Sequence, residues 1–243
     1  VTRSLLLPDV HSAWGSADDL IDHARRKEGP FDRIIQLGDM GFGFAGVKPW
    51  KTKYEEILWF IDGNHDNHEM LSNRGDPNFG YDPYHVLWPR EWQDFLKRWE
   101  YKERGAFEDG ILFIGGASSI DRIWRTAGKD WWPGENISYE DEERVMDTIE
   151  EVGAENIHTV ISHDCPAGFS MAKPLRIHNG SGAKENFDNN RKFLEHVRTV
   201  VKPERWYFGH YHFNWSGEID GCKWQCIDMV RGNGKYDYAV LET

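Results

Sequence analysis

Five short apolar runs in this chain each lead into a residue that can hold a metal ion or move a proton. Leu5-Leu6-Leu7 runs into Pro8-Asp9-Val10-His11, and Ile34-Ile35-Gln36-Leu37 into Gly38-Asp39. Leu58-Trp59-Phe60-Ile61 leads through Asp62 into Gly63-Asn64-His65-Asp66. Val160-Ile161-Ser162 is followed by His163-Asp164, and Trp206-Tyr207-Phe208 by Gly209-His210-Tyr211-His212. Runs this short, bounded by Gly, Asp or Asn, read as buried strands. In an open α/β sheet the ligand crevice lies outside the carboxyl ends of the strands, so five such ends can converge on one site.

Helical patterns fall between some of the strands. Ser16 is placed to cap a helix through Arg26. Ser138, with Asp141 three residues on and Gly153 at the far end, frames a second helix, and Asn190 to Val201 forms a third before Pro203. From Asn214 to Leu241 the chain alternates and turns at Asp220-Gly221 and at Gly232-Asn233-Gly234, the pattern of antiparallel strands. Strand–helix alternation followed by a run of strands predicts a layered α/β domain with at least one mixed sheet. No linker or repeat divides residues 1–243, which we expect to form a single domain. Residues 67–105 and 118–138 fit neither pattern and are expected to be insertions over one rim. Within the first, Trp92 and Trp99 are spaced as the core face of one helix.

Composition narrows the function. The net charge of −12 repels phosphate backbones, so stable DNA binding is not expected. No stretch approaches the roughly 18 apolar residues that cross a bilayer, and Val1 to Leu7 reads as a strand and not as a signal peptide. Three cysteines (Cys165, Cys222, Cys226) without a C-x-x-C pattern suit core thiols in a reducing, cytoplasmic setting.

The residue types at the strand ends narrow the chemistry. Asp9 and His11 are two apart, so on an extended segment both leave one face and can bind one ion, and His210 and His212 repeat that spacing. Asp9, His11, Asp39, Asn64, His163, His210 and His212 are too many ligands for one tetrahedral zinc. They suit two ions sharing a carboxylate, and oxygen and imidazole donors suit Mn, Fe, Zn or a similar ion, with Mn favoured. Gly41-Phe42-Gly43-Phe44-Ala45-Gly46 matches G-x-G-x-x-G after a strand, but Lys48-Pro49 stands where a helix should open. A glycine loop beside Asp39 is the better account. The other histidines (His23, His68, His85, His158, His178, His196) end no motif and read as ordinary core or surface residues.

In order, these blocks (D-x-H, G-D, G-N-H-D, a lone His and G-H-x-H) resemble the signature of the calcineurin-like metallophosphoesterase superfamily over residues 9 to 212. The resemblance implies a four-layer α/β/β/α sandwich, two mixed sheets flanked by helices, with a dinuclear site at one edge. It implies that Asp9, His11 and His212 hold one metal, that Asn64, His163 and His210 hold the other, and that Asp39 bridges them. It implies hydrolysis by attack of a metal-bridging hydroxide, with His65 as general acid toward the leaving oxygen.

Phosphoprotein phosphatases of that superfamily carry a second acid after G-D, where this chain has Met40-Gly41-Phe42-Gly43. The departure disfavours that activity and leaves the partner of His65 open. The expectation is a phosphodiesterase for small or cyclic nucleotides. The alternatives, in order, are a phosphomonoesterase or phosphoprotein phosphatase, a nuclease and a non-catalytic scaffold. The Gly115 to Pro133 segment resembles a stretch in a bacterial and phage branch of the superfamily, and Arg122, Arg125 and Trp131 within it are the candidate substrate-side wall.

Overall fold

The computed structural model describes residues 1–44, 46–73, 90–119, 122–171 and 189–243. Its strands form two mixed sheets. The first contains β1 (Arg3–Leu7), β2 (Arg33–Gln36), β3 (Ile57–Phe60), β4 (Trp99–Tyr101) and β11 (Ala239–Glu242), ordered β11-β1-β2-β3-β4. Of these five strands, β11 alone runs antiparallel to its neighbour. The second contains β5 (Phe107–Glu108), β6 (Ile111–Ile114), β7 (Thr159–Ser162), β8 (Arg205–Phe208), β9 (Trp215–Ile219) and β10 (Cys222–Cys226), ordered β5-β6-β7-β8-β10-β9. Its four central strands are parallel and its two edges antiparallel.

Period-two alternation along the strands explains the layering. Leu5, Leu7, Ile34, Leu58 and Phe60 face α1 (Trp14–Glu28), α2 (His68–Ser72) and α3 (Arg90–Leu96), in a cluster with Leu20, Ile21, Leu71, Trp92 and Phe95. Leu112, Ile114, Val160 and Trp206 join Val145 and Ile149 of α4 (Tyr139–Val152) and Leu194 and Val197 of α5 (Asn189–Val201). The residues between them in sequence, Leu6, Ile35, Trp59, Ile111, Phe113 and Ile161, meet face to face between the sheets. Three apolar interfaces separate four layers, so the fold is the α/β/β/α sandwich. No described helix is long and apolar enough to cross a membrane.

Several elements depart from the sequence reading. Helix α1 begins at Trp14, before Ser16, because Ala13 is its N-cap. Trp99 lies in β4 and not in a helix with Trp92. Both are buried, but Arg98 turns the chain back onto Phe95 and frees the next residues to pair with β3. After β10 the chain does not return to the same sheet: β11 crosses to pair with β1, and of the two expected turns Asp220-Gly221 closes a hairpin, β9–β10, while Gly232-Asn233-Gly234 does not. Helix α4 starts as expected, with a reciprocal capping box between Ser138 and Asp141. All three cysteines are buried free thiols.

Candidate metal centre

The site is assembled from the loops that leave the carboxyl ends of β1, β2, β3, β7 and β8, which belong to both sheets. Asp9, His11, Asp39 and His212 form one group whose ligand atoms all lie within 4.8 Å of one another, and Asp39, His163 and His210 form a second. Asp39 stands in both. Its Oδ2 lies 3.6 Å from His11 Nε2, while its Oδ1 lies 3.3 Å from His163 Nε2. Asn64 joins the second group, with Oδ1 at 3.2 Å from His163 Nε2.

Backbone conformation produces this convergence. His11, Asp39, His210 and His212 all take positive φ, between 45° and 66°, the left-handed region that costs a non-glycine residue roughly 1–2 kcal/mol. The strands stop there, and the turns aim side chains back across the strand ends. The expectation that His210 and His212 share one face of an extended segment therefore fails, because the turn sends them to different groups. The motif glycines allow the crowding: a Cβ at Gly63 would collide with the Asp39 carboxylate and the His163 ring, and one at Gly209 with Asp9.

Burial and neighbouring charges compete at each of these groups. Burial disfavours charge on Asp39, but His163, His65 and His11 around it hold its carboxyl well below the usual range. Burial likewise opposes a proton on His163, yet the Asp39 and Asp9 carboxylates outweigh it and lift the ring to about 10. His210 is driven the other way, to about 4, by burial and by the neighbouring His163. Asp39 Oδ2 is buried and has no hydrogen-bond partner among the described residues, a state that normally costs about 1–3 kcal/mol or more for a charged group. A divalent cation is the partner such an oxygen fits, and the oxygen–imidazole donor set suits one.

Residues outside the expected ligand set brace the site. Asp66, the last residue of G-N-H-D, accepts the backbone N–H groups of Gly41, Phe42 and Gly63, tying the glycine loop to β3's exit. Burial, with Asp39 nearby, pushes its carboxyl up to about 7. The Tyr211 hydroxyl donates to Asp164 at 2.6 Å behind the histidines. Arg104 is buried and donates to Asp62, Asp141 and the carbonyls of Gly134, Glu135 and Asn136. Asp66, Asp164 and Tyr211 stand within the motif stretches; Arg104 has no local signal, since its partners are scattered along the chain.

His65 donates its backbone N–H to Asp39 Oδ1 at 2.6 Å, and its Nε2 lies 3.4 Å from Arg125 Nη2. The neighbour that the sequence left open thus includes a guanidinium from the rim segment. Arg122 lies over the Trp131 ring at 5.5 Å, Trp131 is half-buried, and Trp132 is buried edge-on against Phe44. Ile123 and Trp124, by contrast, are 80% and 79% exposed.

An α/β/β/α sandwich that gathers histidines and carboxylates at the strand ends of both sheets is the scaffold of a metal-dependent phosphoester hydrolase. The calcineurin-like phosphoesterase family profile matches residues 2–214, and the chain belongs to that family, which uses a dinuclear metal centre. Among solved structures it is similar to TT1561 of Thermus thermophilus, with TM-score 0.52, 9% identity and coverage of 95% of this chain and 90% of that one. It is also similar to a dimetal phosphatase from Danio rerio, with TM-score 0.49, 13% identity and coverage of 99% and 92%. The likeness to TT1561 carries the fold alone. No match was found among curated proteins.

Proposed function

We propose that this chain hydrolyses phosphodiester bonds of small or cyclic nucleotides, using two divalent cations, with manganese favoured. Asp9, His11 and His212 would hold one ion, Asn64, His163 and His210 the other, and Asp39 both. The observation that carries the reading is Asp39: it belongs to both ligand groups, and its buried Oδ2 lacks a hydrogen-bond partner among the described residues. Ions at that site would supply an acidified water and electrophilic stabilisation of the phosphoryl oxygens.

The protein's own groups then have separable tasks. Asp39 Oδ1 holds the His65 backbone, which fixes where the ring can reach. His65 delivers a proton to the leaving oxygen, and Arg125 beside it binds a non-bridging phosphate oxygen. Arg122 and Trp131 form the outer wall, where an indole face suits a base. A diester is favoured over a phosphoprotein because Asp39 is followed by Met40 and a glycine loop and not by a second acid. Three buried free thiols suit a reducing, cytoplasmic setting.

The test is a substrate panel with added Mn²⁺: a nitrophenyl diester, the matching monoester, cyclic nucleotides, a phosphopeptide and single-stranded DNA. The proposal expects metal-dependent turnover of the diester and of at least one cyclic nucleotide, well above the monoester. Faster monoester or phosphopeptide turnover, or none on any substrate, would overturn it.

A further inference from the structure

A cation at the second group needs the oxygen of the Asn64 amide and not its NH₂, yet the two ends of an amide are nearly the same shape. Something must choose between them. Asn64 Nδ2 donates to Ser119 Oγ at 3.0 Å, which leaves Oδ1 facing His163. Ser119 Oγ in turn donates to Glu135 Oε2 at 2.6 Å, and the Ser119 backbone N–H donates to Glu135 Oε1 at 3.1 Å. Glu135 is 1% exposed, so water does not compete for its oxygens.

The direction of this chain follows from its last member. Ser119 Oγ donates to Glu135 Oε2, so its one hydroxyl proton is spent there. The remaining lone pairs of Ser119 Oγ can only accept, so the Asn64 group that meets them is the NH₂. We infer that Ser119 and Glu135 are positioning residues that lock the Asn64 amide with its oxygen toward the second ion. The inference rests on the reading of Asn64 as a ligand.

The pair is itself held in place. Glu135 lies in the short 3-10 turn Pro133–Glu135, and its carbonyl accepts from the Ala117 N–H at 3.0 Å, which registers it against the segment carrying Ser119. Arg104 grips the carbonyls of Gly134, Glu135 and Asn136 and also the Asp62 carboxylate just ahead of Gly63-Asn64. One guanidinium therefore fixes both ends of the Asn64–Ser119–Glu135 relay. Ser119 and Glu135 of the rim are in this respect part of the metal site's frame.

The experiment titrates metal-free protein with Mn²⁺ by calorimetry, following the two binding steps in the wild type, Ser119→Ala, Ser119→Thr, Glu135→Gln and Asn64→Ala, with a melting temperature for each. The expected result is a second Mn²⁺ bound about 10–100-fold more weakly in Ser119→Ala and Glu135→Gln. The first step and the melting temperature of the metal-free protein stay as in the wild type, and Ser119→Thr, which keeps the hydroxyl, is restored. If both variants bind the second ion like the wild type while Asn64→Ala loses it, the positioning role is refuted and the ligand reading stands. If Asn64→Ala also keeps both ions, the ligand reading fails and the inference with it. Weakening of both steps together with a large fall in melting temperature would mean that the pair is only structural, and would also refute it.

Discussion

His11 and His212, 201 positions apart in the chain, bring their Nε2 atoms to 3.0 Å of each other. Asp9 Oδ2 lies 3.2 Å from His212 Nε2 and 4.0 Å from His11 Nε2. Three donor atoms thus crowd one point, an arrangement that is repulsive unless a proton or a cation sits among them. Removing metal with a chelator is therefore expected to lower the melting temperature, and Mn²⁺ to restore it. A site saturated 100-fold above its dissociation constant contributes about 2.7 kcal/mol. Scanning calorimetry with and without chelator reads this directly, and identical melting curves would exclude a cation at that point.

Asp39 and the two C-terminal histidines separate the groups. Asp39→Ala is expected to lose activity and to lower occupancy of both ions, because this carboxylate is common to the two clusters. His212→Ala should weaken the ion shared with Asp9, and His210→Ala the ion shared with His163. Metal content per chain, measured after dialysis, distinguishes them. Two tightly held ions in Asp39→Ala would rule out the bridge.

His65→Gln should retain both ions and turn over about 10²–10⁴-fold more slowly if proton delivery is its task. The loss should shrink for a nitrophenolate leaving group, which needs little protonation. Equal losses on nitrophenolate and alkoxide esters would leave His65 only a charge-stabilising part.

The strand-end motifs were legible because each stands in one short stretch of sequence and the sheet alone brings the stretches together. The capping box of α4 was legible for the same reason, since Ser138 and Asp141 are three residues apart. What was not legible depends on partners that no local pattern announces. Arg104 reaches Asp62, 42 positions back, and Asp141, 37 positions on. Glu135 meets Asn64 only through Ser119. The crossing of β11 to the first sheet was hidden too, because Ala239–Glu242 alternates equally well as an edge strand of either sheet.

Asp141 links that network to acid stability. Burial raises its carboxyl, but Arg104 and the Ser138 cap outweigh burial and lower it below 3.8. A group whose folded value is lowered stabilises the fold above the unfolded value, and that contribution is lost as pH falls through the folded one. Asp141→Asn should therefore flatten the dependence of unfolding free energy on pH below about 4. Arg104→Met, which strands the buried Asp62 carboxylate, should cost about 3–5 kcal/mol near neutral pH. Urea unfolding across a pH series measures both, and an unchanged acid limb in Asp141→Asn would refute the assignment.

Arg125 and Trp131 lie on the same rim but should fail differently. Arg125 Nη2 sits 3.4 Å from His65 Nε2, so a phosphate oxygen bound there would lie beside His65 whatever the rest of the substrate is. Arg125→Ala is expected to lower kcat/KM by a similar factor, about 10-fold or more, for a cyclic nucleotide and for a small diester without a base. Arg125→Lys should recover only part of it, since an ammonium cannot reproduce the planar fork. Trp131 is half-buried under Arg122. If its exposed face stacks a base, worth about 1–3 kcal/mol, Trp131→Ala raises KM for the cyclic nucleotide alone and leaves the melting temperature in place. Its indole Nε1 is buried without a hydrogen-bond partner among the described residues, so removing the ring strands no partner there, and any stability loss would come from packing and from the Arg122 contact. Equal KM changes on both substrates, or a large fall in melting temperature, would make Trp131 a brace for the rim and leave Arg125 as the substrate contact of the two.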